Sequence, residues 1–106
     1  MTVATKPRLS MARMRAAAGE ATAALRALAN EDRLLILCEL SQGERSVSEL
    51  EEILDLHQPS LSQQLGVLRA EGLVSTRREG KFIHYSVAER KALALLETLY
   101  RLYCRS

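Results

Sequence analysis

The chain has 106 residues, enough for one domain with its own core and too few for two. Hydrophobic residues make up 47% and charged residues 26%, a balance that excludes a disordered chain. No apolar run reaches the roughly 18 residues of a membrane span, and the basic N-terminal stretch lacks the apolar region of a secretory signal. Two cysteines are too few for a disulfide framework or for a zinc site made of cysteine alone. We therefore expect a cytoplasmic protein.

The N-terminal part of the chain is predicted to contain a short tail and two helices. Residues 1–10 combine a proline with mixed polar residues and predict a flexible tail, so a single domain is expected over residues 11–106. Apolar residues recur at three- and four-residue steps from Met11 to Ala29 and predict the first helix. Asn30 is a favourable N-cap for a second helix, which is apolar nearly all round and is therefore expected at the centre of the core.

The middle of the chain is predicted to hold two short helices joined by a tight turn. Ser46 and Glu49 follow the capping-box pattern S-x-x-E, in which each side chain accepts a hydrogen bond from the other residue's backbone N–H. Pro59 suits the first turn of the next helix, and Gly72 suits the position just after it, where a left-handed backbone is common. Two short helices in this order are typical of a helix-turn-helix.

A β-hairpin and a last helix complete the chain. Residues 73–78 and 82–87 are rich in strand-forming side chains, and the segment 79–81 between them has a glycine at the tight point. From residue 88 to about Cys104 the apolar residues again show helical spacing. The predicted order is ααααββα, a mainly α fold with a β-hairpin wing, which is a winged helix-turn-helix.

The second helix of the predicted helix-turn-helix, here called the reading helix, and the predicted wing contain the side chains that DNA recognition requires. Short polar residues near the N-terminus of that helix can reach base edges in the major groove, and Gln can form two hydrogen bonds with adenine. No acid lies between Gln58 and Ala70. Each residue alone could be an ordinary surface residue, but the whole arrangement predicts DNA binding. The predicted DNA-binding residues are Ser60, Ser62, Gln63, Gln64 and Arg69 in the helix, with Arg77, Arg78 and Lys81 in the wing.

The stretch from Leu25 to Val87 resembles the ArsR/SmtB family of winged-helix repressors. The resemblance lies in ALANEDRLLIL, SVSELEEILDLHQPSLSQQLGVLRAEGLV and RREGKFIHYSV, which together cover most of the chain. It implies a bacterial homodimer that represses an operon at a palindromic operator until an inducer reaches it. One departure is Gln64, where many members have histidine. Independently, the first and last helices have more apolar surface than one core contact needs, which also favours a two-fold dimer.

The ligand sets of metal-sensing family members are missing from the matching places. A Cys-x-Cys motif at the start of the third helix is replaced by Ser46-Val47-Ser48, and the last helix has no His or Asp. A zinc site needs three or four converging N, S or O ligands. His57 is interpreted as a polar turn residue and His84 as an outward-facing strand residue. We therefore expect no metal and no cofactor, and a metal-responsive repressor is the alternative.

The two cysteines allow two interpretations on their chemistry alone, namely inert buried thiols or a redox pair. The resemblance implies the redox pair. The sulfide- and persulfide-responsive branch of the family (BigR and SqrR) has one cysteine in the segment matching LLILC and one near the end of the last helix, and Cys38 and Cys104 match both. The implied function is a repressor that releases its operator when reactive sulfur species oxidise or crosslink this pair. No C-x-x-C motif, Ser-His-Asp set or phosphate-binding loop indicates an enzyme.

Overall fold

The computed structural model of the chain describes residues 8–104, so most of the predicted tail and the last two residues lie outside it. Within that range the elements follow in the order α1 (Met11–Leu28), α2 (Glu31–Leu40), β1 (Arg45–Ser46), α3 (Val47–Leu54), α4 (Ser60–Ala70), β2 (Val74–Glu79), β3 (Phe82–Val87) and α5 (Arg90–Tyr103). The predicted succession ααααββα is confirmed with one correction, because a short strand precedes α3.

The predicted helix boundaries rest on caps that form as expected, with one exception. The Asn30 side chain accepts a hydrogen bond from the N–H of Arg33 and begins α2. Both bonds of the capping box form at the start of α3, Glu49 N–H to Ser46 Oγ at 3.3 Å and Ser46 N–H to Glu49 Oε1 at 2.8 Å. The exception is Pro59, which is the N-cap of α4 and precedes its first turn. Gly72 has the predicted left-handed backbone, with φ of 75°.

The core forms around α2, as the sequence predicted. This helix packs against α1, α3, α4 and β3, and its residues Ile36 and Leu37 are completely buried. The other fully buried large side chains come from α3 and α4, namely Leu50, Leu61, Leu65 and Leu68. Burying each such side chain stabilises the fold by about 1.5–3 kcal/mol, so α4 is held firmly by its inner face.

The hairpin belongs to a three-stranded antiparallel sheet in the order β1-β3-β2. His84 lies on the face of β3 opposite to Tyr85 and Val87, which pack against the core, so its predicted outward orientation holds. Its side chain is nevertheless only 19% exposed and lies 3.4 Å from Glu79 Oε1. His84 is on the central strand β3, with Ser46 of β1 beside it on one side and Arg77 of β2 on the other. The turn after Glu79 places Gly80 at φ of 63°, which confirms the predicted tight point.

Candidate DNA interface and thiol pair

The helix α4 has one buried apolar face and one exposed polar face. Its leucines fix the buried face, so the residues between them in sequence point away from the core. The exposed residues among those predicted to bind DNA in this helix are Ser60, Ser62, Gln63 and Arg69. The hydroxyl of Ser62 donates to Gln58 Oε1 at 2.9 Å, which links the side chain to the turn before the helix. All four residues are exposed, with Ser60, Ser62 and Gln63 in the first turn of α4 and Arg69 near its end.

Gln64 lies at the border of this surface and is half-buried. Its side-chain oxygen accepts a hydrogen bond from Arg33 Nη1 at 2.9 Å. The same guanidinium donates from Nε to the Ala27 carbonyl at 2.7 Å and from Nη2 to the Arg26 carbonyl at 3.3 Å. Gln64 therefore differs from the other predicted reading residues, because a protein partner already occupies its acceptor.

The three predicted wing cations differ in their partners. Arg77 forms two hydrogen bonds with Glu44, from Nη2 to Oε1 at 2.7 Å and from Nε to Oε2 at 3.1 Å. The hydrogen bond to Arg77 lowers the pKa of the Glu44 carboxyl. The pKa of Arg77 is raised, mainly by the same hydrogen bond and next by the negative charge of Glu44. Among residues 8–104, Arg78 and Lys81 form no ion pair, and both are exposed. These two side chains are free to meet a phosphate.

The two cysteines come from different helices and have different surroundings. Cys38 in α2 is half-buried against the core, and Cys104 is the exposed C-cap of α5. Both are free thiols. Burial raises the pKa of the Cys38 thiol, and the negative charge of a Cys104 thiolate raises it further. The two thiols therefore differ in their exposure to solvent.

An apolar groove of about 630 Å³ lies between α1 and α5. Its lining consists mostly of alanine and leucine, and the ion pair of Glu20 with Lys91, at 2.8 Å, links the two helices at the groove. Several large apolar side chains of these helices are exposed, namely Met11, Met14, Leu25, Leu93, Tyr100, Leu102 and Tyr103. An apolar groove flanked by helices with this many exposed large apolar side chains is typical of an interaction surface.

Within the described part of the chain, no three His, Cys, Asp or Glu side chains are grouped so that they could hold a metal ion. His57 is exposed in the turn before α4, as predicted, and His84 Nε2 lies 3.4 Å from the carboxylate of Glu79. None of the helices in residues 8–104 is long and apolar enough to cross a membrane.

A family model described as bacterial regulatory protein, arsR family, matches residues 30–76, from the N-cap of α2 into β2. The chain is also 55% identical over 87 residues to the biofilm growth-associated repressor of Agrobacterium fabrum (strain C58 / ATCC 33970), which covers 82% of this chain and 74% of that protein. The chain belongs to the arsR family. It is therefore a transcriptional regulator, a class of protein distinct from enzymes, and the predicted family is confirmed.

Two solved structures agree with this fold. The crystal structure of the transcriptional repressor BigR from Xylella fastidiosa matches with a TM-score of 0.88 and 43% identity, over 92% of this chain and 100% of that one. The NMR structure of the homodimeric winged helix-turn-helix DNA-binding domain (fragment 1-100) of Mb0332 from Mycobacterium bovis matches with a TM-score of 0.72 and 30% identity, over 92% and 89% of the two chains. The predicted winged helix-turn-helix and the resemblance to the BigR branch are confirmed.

The sequence interpretation missed two residues at this interface, Arg33 and Glu44. Arg33 is the only base in α2, and a half-buried cation on a core helix must find acceptors. That isolated charge was a usable signal. Glu44 gave no comparable signal, because its partner Arg77 lies 33 positions away and an acid next to a turn usually faces solvent.

Proposed function

We propose that this arsR-family regulator is a cytoplasmic repressor that binds operator DNA as a single winged domain over residues 11–106. In this proposal α4 enters the major groove, where Ser60, Ser62 and Gln63 meet base edges and Arg69 meets a phosphate. One observation supports this more than any other. The polar face of α4 has no acid, and its buried leucines hold that face outward beside the wing.

The wing supplies the phosphate contacts that fix the register of the reading helix in this proposal. Arg78 and Lys81 are exposed and form no ion pair within residues 8–104, so each can neutralise a phosphate. Arg77 would have to leave Glu44 before it could do so. We therefore assign the phosphate contacts of the wing to Arg78 and Lys81.

The functional unit is proposed to be a homodimer that uses α1 and α5. The apolar groove and the exposed apolar side chains of these helices support this, as does the homodimeric relative from Mycobacterium bovis. Two reading helices related by a two-fold axis would face two half-sites about 34–36 Å apart. The expected operator is therefore palindromic.

The proposed inducer is a persulfide, a molecule with an R–S–SH group, and its target is the pair Cys38 and Cys104. The Cys104 thiolate attacks the outer sulfur, so the R–S–SH bond between the sulfurs breaks, a Cys104 persulfide forms and RS⁻ leaves. The Cys38 thiolate then attacks the Cys104 sulfur, a disulfide forms and HS⁻ leaves. The two thiols lose two electrons, and the persulfide is reduced to RSH and H₂S. If the Cys104 persulfide first attacks a second R–S–SH molecule, a second RS⁻ leaves and Cys104 gains another sulfur. Attack of Cys38 on the sulfur next to the terminal one then expels HS⁻ and gives a polysulfide bridge.

The surroundings of the two thiols support this order of attack. Cys104 is exposed, so an incoming persulfide reaches it first. Cys38 is half-buried and its pKa is raised, so less of it is thiolate at neutral pH. Cys38 therefore reacts second. Its partner is the modified Cys104 of the same chain, so this step is intramolecular and needs no second molecule from solution. A bridge would tie α2 of the core to α5 and so change how the two halves of a dimer are spaced.

Mass spectrometry and DNA binding together test the switch. A duplex that the wild-type protein selects from a random pool would be titrated before and after treatment with glutathione persulfide, with Cys38→Ser and Cys104→Ser as matched controls. We expect the wild type to lose two hydrogen masses, apart from any added sulfur, and to bind the duplex about 5- to 150-fold more weakly. Each serine variant should keep its affinity.

Three other results would contradict the switch. Unchanged affinity of fully crosslinked wild type would leave the thiols without a regulatory role. Equal loss of affinity in Cys38→Ser would mean that modification of Cys104 alone is sufficient, without a bridge. Loss of affinity on zinc or arsenite titration, without persulfide, would favour the metal-responsive alternative.

A further inference from the structure

Arg33 of α2 lies where three helices meet. Its Nε and Nη2 atoms donate to the carbonyls of Ala27 and Arg26, at 2.7 and 3.3 Å, in the last turn of α1. Its Nη1 atom donates to Gln64 Oε1 in α4 at 2.9 Å. One planar guanidinium therefore connects the end of α1, the start of α2 and the middle of α4.

These contacts are of a kind that fixes geometry. The last carbonyls of a helix have no partner within the helix, so that of Ala27 is available to an outside donor, while that of Arg26 also accepts from the N–H of Ala29. Arginine presents its donors in a rigid planar fork, and hydrogen bonds from a charged donor are shorter and stronger than neutral ones. The Nε and Nη2 atoms are fixed by their hydrogen bonds to α1, so the Nη1 atom points in a defined direction towards Gln64. A lysine ammonium in the same place would not fix the position of Gln64 in this way, because its donors rotate freely on a flexible side chain.

Given the proposed DNA-binding dimer, we propose that Arg33 is a positioning residue that sets α4 relative to α1, with Gln64 as its acceptor. Gln64 then holds the reading helix in place and does not read a base. In a dimer formed through α1 and α5, the placement of α4 on α1 determines the distance between the two reading helices. That distance must match the half-site spacing of the operator. Arg33 also shares α2 with Cys38, so movement of α2 would reach α4 through this junction.

The proposal predicts a particular pattern of DNA binding for four variants. They are Arg33→Met, Gln64→Met, the double variant and Arg78→Met, and the last reports the effect of losing a proposed phosphate contact. Each would be titrated with the duplex selected by the wild type and with a random-sequence duplex, at several salt concentrations. Circular dichroism would confirm that each variant is folded. If Arg33→Met does not fold, Gln64→Met carries the test, because it removes only the acceptor.

We expect Arg33→Met and Gln64→Met each to weaken binding of the selected duplex about tenfold, and the double variant to lose no more than either one. Binding of random DNA and the salt dependence should stay as in the wild type, because no phosphate contact is lost. A merely structural role would lower the unfolding temperature without changing the ratio of specific to random binding. Duplexes with half-sites moved by one base pair should be discriminated less well by the variants than by the wild type.

Several outcomes would overturn the positioning role. A salt slope reduced as in Arg78→Met would mean that Arg33 contacts a phosphate itself. Losses that multiply in the double variant would mean that the two residues act independently. A change of preference at a single base pair in Gln64→Met would make Gln64 a base reader. If the wild type selects no shared sequence at all, the proposed DNA-binding function fails, which is distinct from unchanged affinity in the variants.

Discussion

Replacing a wing cation should change how operator affinity depends on salt. In the proposed complex, Arg78→Ala or Lys81→Ala removes one phosphate contact from each protomer and therefore two from the dimer. Each lost contact reduces the slope of log affinity against log salt by about 0.9, so each substitution reduces it by about 1.8. Between roughly 50 and 200 mM the salt concentration rises about fourfold, and a slope change of about 1.8 corresponds to about 12-fold in affinity. Over that range of salt concentration, the affinity of the wild type should therefore fall about 12-fold further than the affinity of either variant.

Arg77 provides the matched comparison, because its guanidinium is already paired with Glu44. Arg77→Ala should leave the slope nearly unchanged, although it removes the same charge from the same wing. Glu44→Gln should have the opposite effect, since it removes the carboxylate that binds Arg77 through two hydrogen bonds and leaves only the longer 3.7 Å pair with Glu79. The slope should then steepen by up to about 1.8, the value for one new phosphate contact per protomer.

Fluorescence anisotropy at four salt concentrations would measure these slopes on a duplex selected by the wild type. The result that refutes the assignment is an equal slope reduction in Arg77→Ala and Arg78→Ala, because that would mean that Arg77 leaves Glu44 in the complex. If all four variants keep the salt slope of the wild type, the wing does not contact the phosphates. Either result would leave the fold unaffected and change only the assignment of contacts.

Three further predictions concern the capping box and the thiols. Ser46→Ala should lower the free energy of unfolding by about 1 kcal/mol in urea titrations at fixed protein concentration, and a change below about 0.3 kcal/mol would contradict the role of the cap. The hydrogen bond from the Ser46 backbone holds the pKa of Glu49 below its usual value, so the advantage of the wild type over Glu49→Gln should be present above pH of about 4.5 and disappear as the pH falls below it. Iodoacetamide should modify Cys104 before Cys38, as followed by peptide mass spectrometry, and the reverse order would contradict the proposed sequence of attack.

Local chemistry explains which parts of the fold the sequence could predict. Asn30, Ser46 and Gly72 each satisfy or relieve backbone groups at a helix end within a few residues, so a short stretch of sequence contains the whole interaction. The strand β1 is different. It has only two residues, Arg45 and Ser46, and it exists because β3 pairs with it from far along the chain. A segment of two residues is too short to show the alternation of apolar and polar side chains that predicts a strand.

The partners of charged side chains were the least predictable feature of the candidate site. The sequence indicated which residues near the reading helix are basic or polar, but Gln64 and Arg33 are 31 positions apart. Arg77 and Glu44 are 33 positions apart. Whether such a residue is free for DNA depends on which helices and loops the fold brings beside it. Composition therefore predicted the chemistry of the surface, and the tertiary contacts decided which of its members are available.

The two cysteines show the same dependence in a form that bears on regulation. Helical spacing placed both on apolar stripes, where two equivalent buried thiols would be inert. In the fold they are unequal, since Cys104 is exposed while Cys38 is half-buried with a raised pKa. An exposed thiol alone would react with many oxidants and stop at a mixed product, and a buried thiol alone would react with few. In the proposed switch, the reaction therefore starts at the exposed Cys104 and ends at Cys38 in α2, the helix on which the core is built.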